Sequence, residues 1–273
     1  MQTFEHTGPV TVAVRAQRGR VDITAADGAP VQVGVAPLDG SPAAADAARD
    51  TYVALEGDTL VVDAPTRSGW QWRRAPALAI TIRVPTGSSI VATLASAGLR
   101  AGGRYAAVQL KAASGDAWID EVTGSAQIES ASGDVAAGRV GGALKIGSAS
   151  GAVRVGDVAG DVAAKAASGD ITIRGVGGSV SAETASGDIE VGVVRRGQAA
   201  IRSASGDVEV GVAAGTGVWL DVSTASGSTV NDLTMGGAAG GAGAVNPALR
   251  LRIRTASGDI AIRRVRGDLP AAA

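Results

Sequence analysis

Six aspartates recur at one position of a repeated phrase, and this row of carboxylates is the pattern in the chain that most directly suggests chemistry. The phrase reads Ala-Ser-Gly-Asp in most of its eight copies, from residue 113 onward. A calcium ion takes six to eight oxygen ligands, so one carboxylate per copy is too few, and Ala152 and Ser228 interrupt the row. We therefore interpret the row as structural, each carboxylate accepting hydrogen bonds from backbone amides and fixing a turn. Its members are Asp116, Asp134, Asp170, Asp188, Asp207 and Asp259.

Tryptophan and arginine are concentrated in one short segment, residues 67–74, between two predicted strands. The segment holds Arg67, Trp70, Trp72, Arg73 and Arg74 in a chain with only seven aromatic residues. Exposed tryptophan and arginine side chains carry much of the binding energy at protein interfaces, so we predict a partner-binding loop here. The alternative is that the tryptophans cover the hydrophobic end of the core while the arginines stay in water.

The elements that must position these residues follow from the repeat. Within residues 169–186, Ile171 and Ile173 point one way while Thr172 and Arg174 point the other, so each copy contains short strands between glycine-rich corners. The chain therefore predicts an all-β fold, a single-stranded β-solenoid (β-helix or β-roll) of about 18 residues per coil. Two parallel sheets face each other, and their β-branched and alanine side chains leave no room for rings. The first four intervals between the corner glycines are all 18 residues. These glycines are Gly115, Gly133, Gly151, Gly169, Gly187, Gly206, Gly227 and Gly258.

Stacking in this register makes residues 18 apart into neighbours on adjacent strands. Charges alternate in sign along one outward column wherever two charged residues are adjacent, as expected if like charges on neighbouring strands repel. The column reads Lys111, Glu129, Gly147, Lys165, Glu183 and Arg202.

Trp118 is a third candidate for partner contact. The alternation sends Ala117 and Ile119 inward, so Trp118 is predicted on the outer face beside Ala136 and the small Gly138.

The ends of the chain depart from the strict period. Residues 1–85 predict a β-rich N-terminal cap and first coil, with a short helix over 43–49, a hairpin over 52–63 and a strand over 78–84. Residues 86–266 predict the solenoid repeats, including a glycine- and alanine-rich insertion at 235–247, and residues 267–273 a flexible tail. We interpret the arginine-rich last coil as a charged cap that keeps the end of the stack in solution. Its arginines are Arg250, Arg252, Arg254, Arg263, Arg264 and Arg266.

Composition excludes several classes of function. The 25 basic and 26 acidic side chains nearly cancel, which argues against nucleic-acid binding. Cysteine is absent, so disulfides and thiolate metal sites are excluded. No segment has the pattern of a signal peptide or a membrane span, so a cytoplasmic location is expected.

Several motifs carry a resemblance that covers nearly the whole chain. They are the repeated Ser-Gly-Asp-Ile/Val turns, Gly217-Val218-Trp219-Leu220-Asp221, Val230-Asn231-Asp232-Leu233 and the closing Ser257-Gly258-Asp259-Ile260. In these motifs the chain resembles a bacterial β-strand-repeat family of unknown function, often labelled adhesins, in its actinobacterial form. The resemblance implies a β-solenoid with no established reaction, and it supplies no catalytic residues.

Other repeat architectures fit less well. Hexapeptide acyltransferases need an aliphatic residue every six positions, which Gly177 and Glu183 break, and a histidine base, whereas His6 is the only histidine. Calcium β-rolls carry aspartate at both corners of a coil, ice-binding solenoids carry flat threonine rows, and polysaccharide lyases need clustered carboxylates and aromatics.

The sequence thus predicts a non-enzymatic β-solenoid that acts as a binding or assembly surface. The expected partner is an unknown protein or a second copy of the chain, and no catalytic residue, cofactor or metal site is predicted. One alternative is a self-polymerising scaffold resembling bactofilins. A carbohydrate-active enzyme is a lesser alternative.

Overall fold

The computed structural model describes residues 1–6, 8–66, 75–233 and 247–265, and it is almost entirely β-structure. One helix, α1 (Pro42–Asp50), begins at Ser41, whose Oγ accepts a hydrogen bond from the Ala44 amide at 3.2 Å. The strands of the N-terminal part are β1 (Gln2–Phe4), β2 (Thr11–Ala26), β3 (Val31–Pro37), β4 (Tyr52–Glu56), β5 (Thr59–Asp63), β6 (Leu78–Pro85) and β7 (Ser89–Tyr105). The predicted hairpin and short helix are both confirmed.

The regular coils follow as pairs of short strands. They are β8 (Val108–Ser114), β9 (Ala117–Val122), β10 (Ala126–Ser132), β11 (Val135–Val140), β12 (Leu144–Ser150), β13 (Val153–Val158), β14 (Val162–Ser168), β15 (Ile171–Val176), β16 (Val180–Ser186), β17 (Ile189–Val194), β18 (Gly197–Ser205), β19 (Val208–Ala213), β20 (Val218–Ser226), β21 (Thr229–Asn231), β22 (Leu249–Ser257) and β23 (Ile260–Val265).

The strands form two parallel sheets, which confirms the predicted solenoid. Sheet A contains β5, the first halves of β2 and β7, and the even-numbered strands from β8 to β22. Sheet B contains β6, the second halves of β2 and β7, and the odd-numbered strands from β9 to β23. No helix in the described ranges is long and apolar enough to cross a bilayer.

The core lies between the sheets and follows the predicted alternation. Ile171 and Ile173 are fully buried, whereas Arg174 on the same strand is exposed. The expectation that the core has no room for rings is wrong at Tyr105, which is fully buried and donates hydrogen bonds of 2.9 Å to the carbonyls of Ile23 and Gly102. The register shifts between Ala101 and Arg104, and such a bulge bends the strand and makes space for the phenol. Burial raises the pKa of the Tyr105 hydroxyl.

The predicted register is confirmed by the pairing of the strands. Lys111 lies 3.7 Å from Glu129, and Glu183 contacts both Lys165, at 3.0 Å, and Arg202, at 3.5 Å. These side chains are largely exposed, so each pair contributes only about 0–1 kcal/mol. The ladder therefore specifies register more than it adds stability.

The corner glycines permit the coils to stack this closely. Gly169 has a φ of +133°, and a Cβ added there would lie 2.2 Å from the carbonyl oxygen of Gly151 in the preceding coil. A side chain at this position would clash with the backbone, so the phrase requires glycine at its third position.

At the N-terminal end, the order of the stack differs from the order of the chain. Strand β2 pairs with β5 and β6 on one side and with β7 on the other, so residues 11–26 form the second layer of the stack. Antiparallel strands then cover the outer edges, β4 on β5, β3 on β6 and β1 on β3. This end is therefore closed by strands that run against the direction of the coils.

The C-terminal end shows a second exchange of order. Strands β22 and β23 lie between the β18–β19 coil and the β20–β21 coil, so the last coil in sequence is not the last in space. The interpretation of the arginine-rich coil as a terminal cap is therefore wrong for its described residues. The outermost described strand of sheet A is β20, whose core-facing Val218, Leu220 and Val222 are only partly buried.

The arginines of that coil have several different environments. Arg263 contacts Glu209, and Arg264 donates to the carbonyls of Ala213 and Thr216 at 3.0 and 2.8 Å. Arg266 and most of the predicted insertion lie outside the described residues. Arg250, Arg252 and Arg254 project from the outer face of sheet A.

We expect the Ile171→Asp substitution to unfold the central coils, because it places a charge between the two sheets at a cost of several kcal/mol. The matched control is Thr172→Asp, which puts the same charge one residue away on the outer face, next to Arg154 in the pairing strand. Chemical denaturation measures both. Equal losses of stability in the two variants would contradict the assignment of inward and outward positions.

Candidate functional site

The aspartate row forms a ladder of hydrogen bonds between coils. Oδ1 of Asp116 accepts from the Asp134 amide at 2.9 Å, and Oδ1 of Asp134 accepts from the Ala152 amide at 2.9 Å. The other four carboxylates accept in the same way. Oδ1 of Asp170 accepts from the Asp188 amide at 3.0 Å, Asp188 from the Asp207 amide at 2.8 Å, Asp207 from the Asp259 amide at 2.8 Å and Asp259 from the Ser228 amide at 2.7 Å. Each carboxylate therefore bonds to the backbone of the adjacent coil in the stack rather than to the backbone of its own turn.

The ladder is interrupted where the sequence lacks a carboxylate. Ala152 offers no acceptor to the coil that begins at Asp170, and Ser228 ends the row at the outermost described coil. Across the ranges that the structure describes, no three His, Cys, Asp or Glu side chains come close enough together to hold a metal ion.

The tryptophan- and arginine-rich loop cannot be placed. Arg67, Trp70, Trp72, Arg73 and Arg74 all lie outside the described residues, so their partner-binding role stays a prediction.

Trp118 lies on the outer face of sheet B, with 43% of its surface exposed. Arg100 and Ala136 are its neighbours on the two adjacent strands, and its ring extends towards Gly102. Its role in binding also stays a prediction.

The outer face of sheet A carries two troughs on either side of a ridge. The ridge is the ladder of alternating charges, and the trough beside the alanines of the repeated phrase has a volume of about 790 Å³. The other trough, here called the polar groove, has a volume of about 650 Å³ and crosses the strands from β8 to β18. Its polar lining includes Gln109, Gln127, Lys145, Asp161, Ser181 and Gln198.

Two kinds of polar side chain line the polar groove. Some are used by the fold, as where Oδ1 of Asp161 accepts from the Ser179 amide at 2.7 Å and Gln127 donates to Glu129 at 3.1 Å. The others make no hydrogen bond or ion pair through their side chains with the described part of the chain, and these are Gln109, Lys145, Ser181 and Gln198. The second set is available to a ligand.

A more enclosed pocket continues the polar groove at its C-terminal end. This tryptophan pocket has a volume of about 410 Å³ and is lined by Gln198, Trp219, Pro247, Arg250 and Arg252, together with two alanines. Gln198 and Ala200 border both cavities, so the two form one continuous surface.

The exchange of coil order creates the tryptophan pocket. Strand β22 lies between β18 and β20, so Arg250 has Gln198 on one side and Trp219 on the other. Backbone hydrogen bonds from Gly197 to Ala248, 2.9 Å, and from Leu249 to Gly217, 3.1 Å, fix the three strands at this point. The side chains that line the pocket therefore project from strands that are hydrogen-bonded to one another.

The tryptophan pocket has an excess of positive charge. Nε of Arg252 donates to Oδ2 of Asp221 at 3.0 Å, and Arg254 lies 3.7 Å from the same oxygen. Arg250 has no acidic partner within the described residues. Asp221 thus contacts Arg252 and Arg254 and leaves Arg250 without a counter-charge among the described residues.

Sequence reasoning missed this site, although part of the signal was present. The corner glycines Gly227 and Gly258 align Trp219 with Arg250, so their contact is readable from the repeat. Alignment in chain order, however, places Gln198 next to Trp219 and not next to Arg250. Only the exchanged stack places Arg250 between Gln198 and Trp219.

Comparison with protein-family models gives a match over most of the chain. The model of the Toastrack DUF4097 family matches residues 38–263. The chain belongs to this family. No curated protein matches this Toastrack chain.

Two solved structures align along most of the Toastrack chain. One is a putative adhesin from Bacteroides fragilis, 13% identical, with 97% of this chain and 95% of that chain covered and a TM-score of 0.40. The other is a putative cell adhesion protein from Clostridium sporogenes, 8% identical, with coverages of 94% and 93% and a TM-score of 0.25. At such low similarity neither supports an argument about function.

Stability should fall in acid as the Asp134 carboxylate is protonated. The Ala152 amide and the Arg154 guanidinium hold the pKa of Asp134 below its ordinary value. A lowered pKa in the folded state contributes stability above the unfolded value, about 3.9, and this contribution is lost as pH falls through the folded value. Asp134→Asn should therefore cost about 1 kcal/mol near pH 7, and the difference from wild type should shrink below about pH 4.

The complementary variant is Ala152→Asp, which supplies the missing acceptor for the Asp170 amide. We expect it to stabilise the protein by about 0.5–1 kcal/mol near pH 7 and to add to the acid sensitivity. Urea denaturation at several pH values measures both variants. A pH-independent cost for Asp134→Asn would show that the carboxylate charge does not contribute.

Calcium should leave the melting temperature unchanged, because each carboxylate of the row already accepts a backbone amide and each coil supplies only one. Thermal melts with millimolar calcium and with a chelator test this. A rise of many degrees with calcium that the chelator reverses would establish a metal site in the row.

Proposed function

We propose that this Toastrack protein is a non-enzymatic binding module whose polar groove, together with the tryptophan pocket, holds an extended ligand. The observation that carries the proposal is the alignment, along one sheet face, of side chains that have no partner among the described residues. Gln109, Lys145 and Gln198 project from strands whose backbone is already paired, so their amide and ammonium groups are directed to solvent or to a ligand. A rigid, repeating surface of this kind holds a ligand without a large ordering cost.

The lining of the groove favours binding over catalysis. Hydrolysis or elimination on a sugar chain requires a positioned acid and base, usually two carboxylates or a histidine. Asp161 is the carboxylate among the groove's lining residues, and its Oδ1 is engaged by the Ser179 amide. His6 lies in the N-terminal part of the chain, where Nε2 is 3.0 Å from Oδ1 of Asp58.

The N-terminal end disfavours the alternative of a self-polymerising scaffold. Stacking of copies requires that a parallel coil of one molecule continue the coils of the next. The antiparallel strands β1, β3 and β4 cover the edges of both sheets at this end. A second copy stacked on this end would meet antiparallel strands, which do not continue the parallel coils.

Filling the groove should abolish binding. Ala163→Tyr places a ring in the middle of the polar groove, whereas the matched control Thr172→Tyr places the same ring on the outer face of sheet B. Wild-type protein is applied to an array of glycans and an array of extended peptides. We expect binding within one array, at least tenfold weaker for Ala163→Tyr and unchanged for Thr172→Tyr, with the bound probe recovered unaltered in mass.

Other results of this assay would contradict the proposal. An absence of binding to both arrays, or equal weakening by the two tyrosine variants, would contradict a role for the groove. A probe recovered in shortened form would show an enzyme. The Trp70→Ala, Trp72→Ala double variant in the same assay decides whether the predicted loop also contacts the ligand.

A further inference from the structure

We propose that the tryptophan pocket binds an acidic sugar residue, so that the surface recognises an anionic polysaccharide. This inference rests on the proposed function, because the polar groove supplies the path for the rest of the chain of sugars. Three features of this surface support it: an exposed indole, guanidinium groups with N–H donors that have no partner among the described residues, and the amide and hydroxyl side chains of the polar groove.

Trp219 offers an aromatic face at the end of the polar groove. About 47% of its surface is exposed although the protein has few aromatic residues, and Pro247 lies on the same pocket wall. One face of a pyranose ring presents mainly C–H bonds, which pack on an indole and remove apolar surface from water. The pocket therefore fits a ring that is apolar on its face and polar at its edge.

The arginines fit a carboxylate on that ring. Arg250 has no acidic partner, and the terminal nitrogens of Arg252 make no hydrogen bond within the described residues because only its Nε contacts Asp221. A guanidinium with two free N–H groups binds a carboxylate through two parallel hydrogen bonds. A neutral sugar would leave this charge unmatched.

The polar groove fits the hydroxyl groups of the neighbouring sugars. The side chains of Gln198, Ser181 and Gln109 can donate and accept hydrogen bonds, and Lys145 adds a second cation that has no acidic partner in the described part of the chain. From β8 to β20 the surface crosses eight strands, a distance of about 34 Å at the spacing of neighbouring strands. This length accommodates several sugar residues.

Other extended ligands fit the surface less well. A peptide bound by strand addition requires an open sheet edge, whereas the polar groove crosses strands that are hydrogen-bonded on both sides. Nucleic acid requires many phosphate contacts, and the charges of the whole protein nearly cancel.

The test compares three soluble probes by isothermal titration calorimetry. Oligogalacturonate carries a carboxylate on every sugar, cello-oligosaccharides of the same length are neutral, and polyglutamate carries carboxylates without sugars. We expect oligogalacturonate to bind at least tenfold more tightly than either of the other probes, since both the charge and the ring are recognised.

Variants locate the binding to the pocket. Trp219→Ala and Arg250→Gln should each weaken oligogalacturonate binding about tenfold or more, and Trp219→Phe should retain part of it. The matched controls are Arg100→Gln, which removes an exposed arginine from the outer face of sheet B, and Thr172→Ala on the same face. Both controls should bind as wild type does. Circular dichroism confirms that each variant is folded.

Each contrary outcome has a defined meaning. Equal binding of polyglutamate would overturn the inference by showing that charge alone suffices, and equal losses in the sheet B controls would overturn it by placing the site elsewhere. Tight binding of cello-oligosaccharides that Ala163→Tyr abolishes would overturn the inference and leave the proposed function intact. Failure of all three probes, together with failure of the glycan and peptide arrays, would overturn both.

Discussion

The structure depends on parallel backbone hydrogen bonding between coils at a separation of about 4.8 Å. At this distance nothing larger than a hydrogen is tolerated at the corner, as the 2.2 Å approach of a Cβ at Gly169 to the carbonyl of Gly151 shows. The inward positions hold mostly aliphatic side chains because a second sheet faces them at about 10 Å, and Tyr105 is accommodated at a bulge. The corner glycines therefore follow from the distance between coils, and the scarcity of aromatics follows from the distance between the two sheets.

Stacking at a constant register also turns single positions into continuous rows. The aspartate at the corner becomes a ladder in which every carboxylate accepts the next amide, and the column from Lys111 to Arg202 becomes a charged ridge. These rows hold the coils in register and engage their members in contacts between coils. The side chains left for a ligand are Gln109, Lys145 and Ser181 of one column and Gln198 beside it, which have no side-chain partner among the described residues.

The pocket arises where the regular order is broken. An inserted strand is paired on both sides, so β22 carries its arginines on a backbone as firmly held as the central coils. The same exchange brings Trp219 of the outermost described strand to the wall of a cavity. Repetition thus builds the scaffold, and a local departure from it places different side chains next to one another.

The 18-residue period, the alternation along Ile171–Arg174 and the turn phrase determine the solenoid, the inward and outward faces and the register, because all three are local properties of the chain. The hairpin over β4 and β5 and the helix α1 are readable for the same reason. The order in which coils stack is not local. A coil that skips one layer and a coil that follows directly have nearly the same sequence, since both present the same edge to their neighbours. Only the tertiary structure therefore shows that β2 lies between two layers that follow it in the chain, and that β22 lies between two strands that precede it. The second exchange places Arg250 between Gln198 and Trp219.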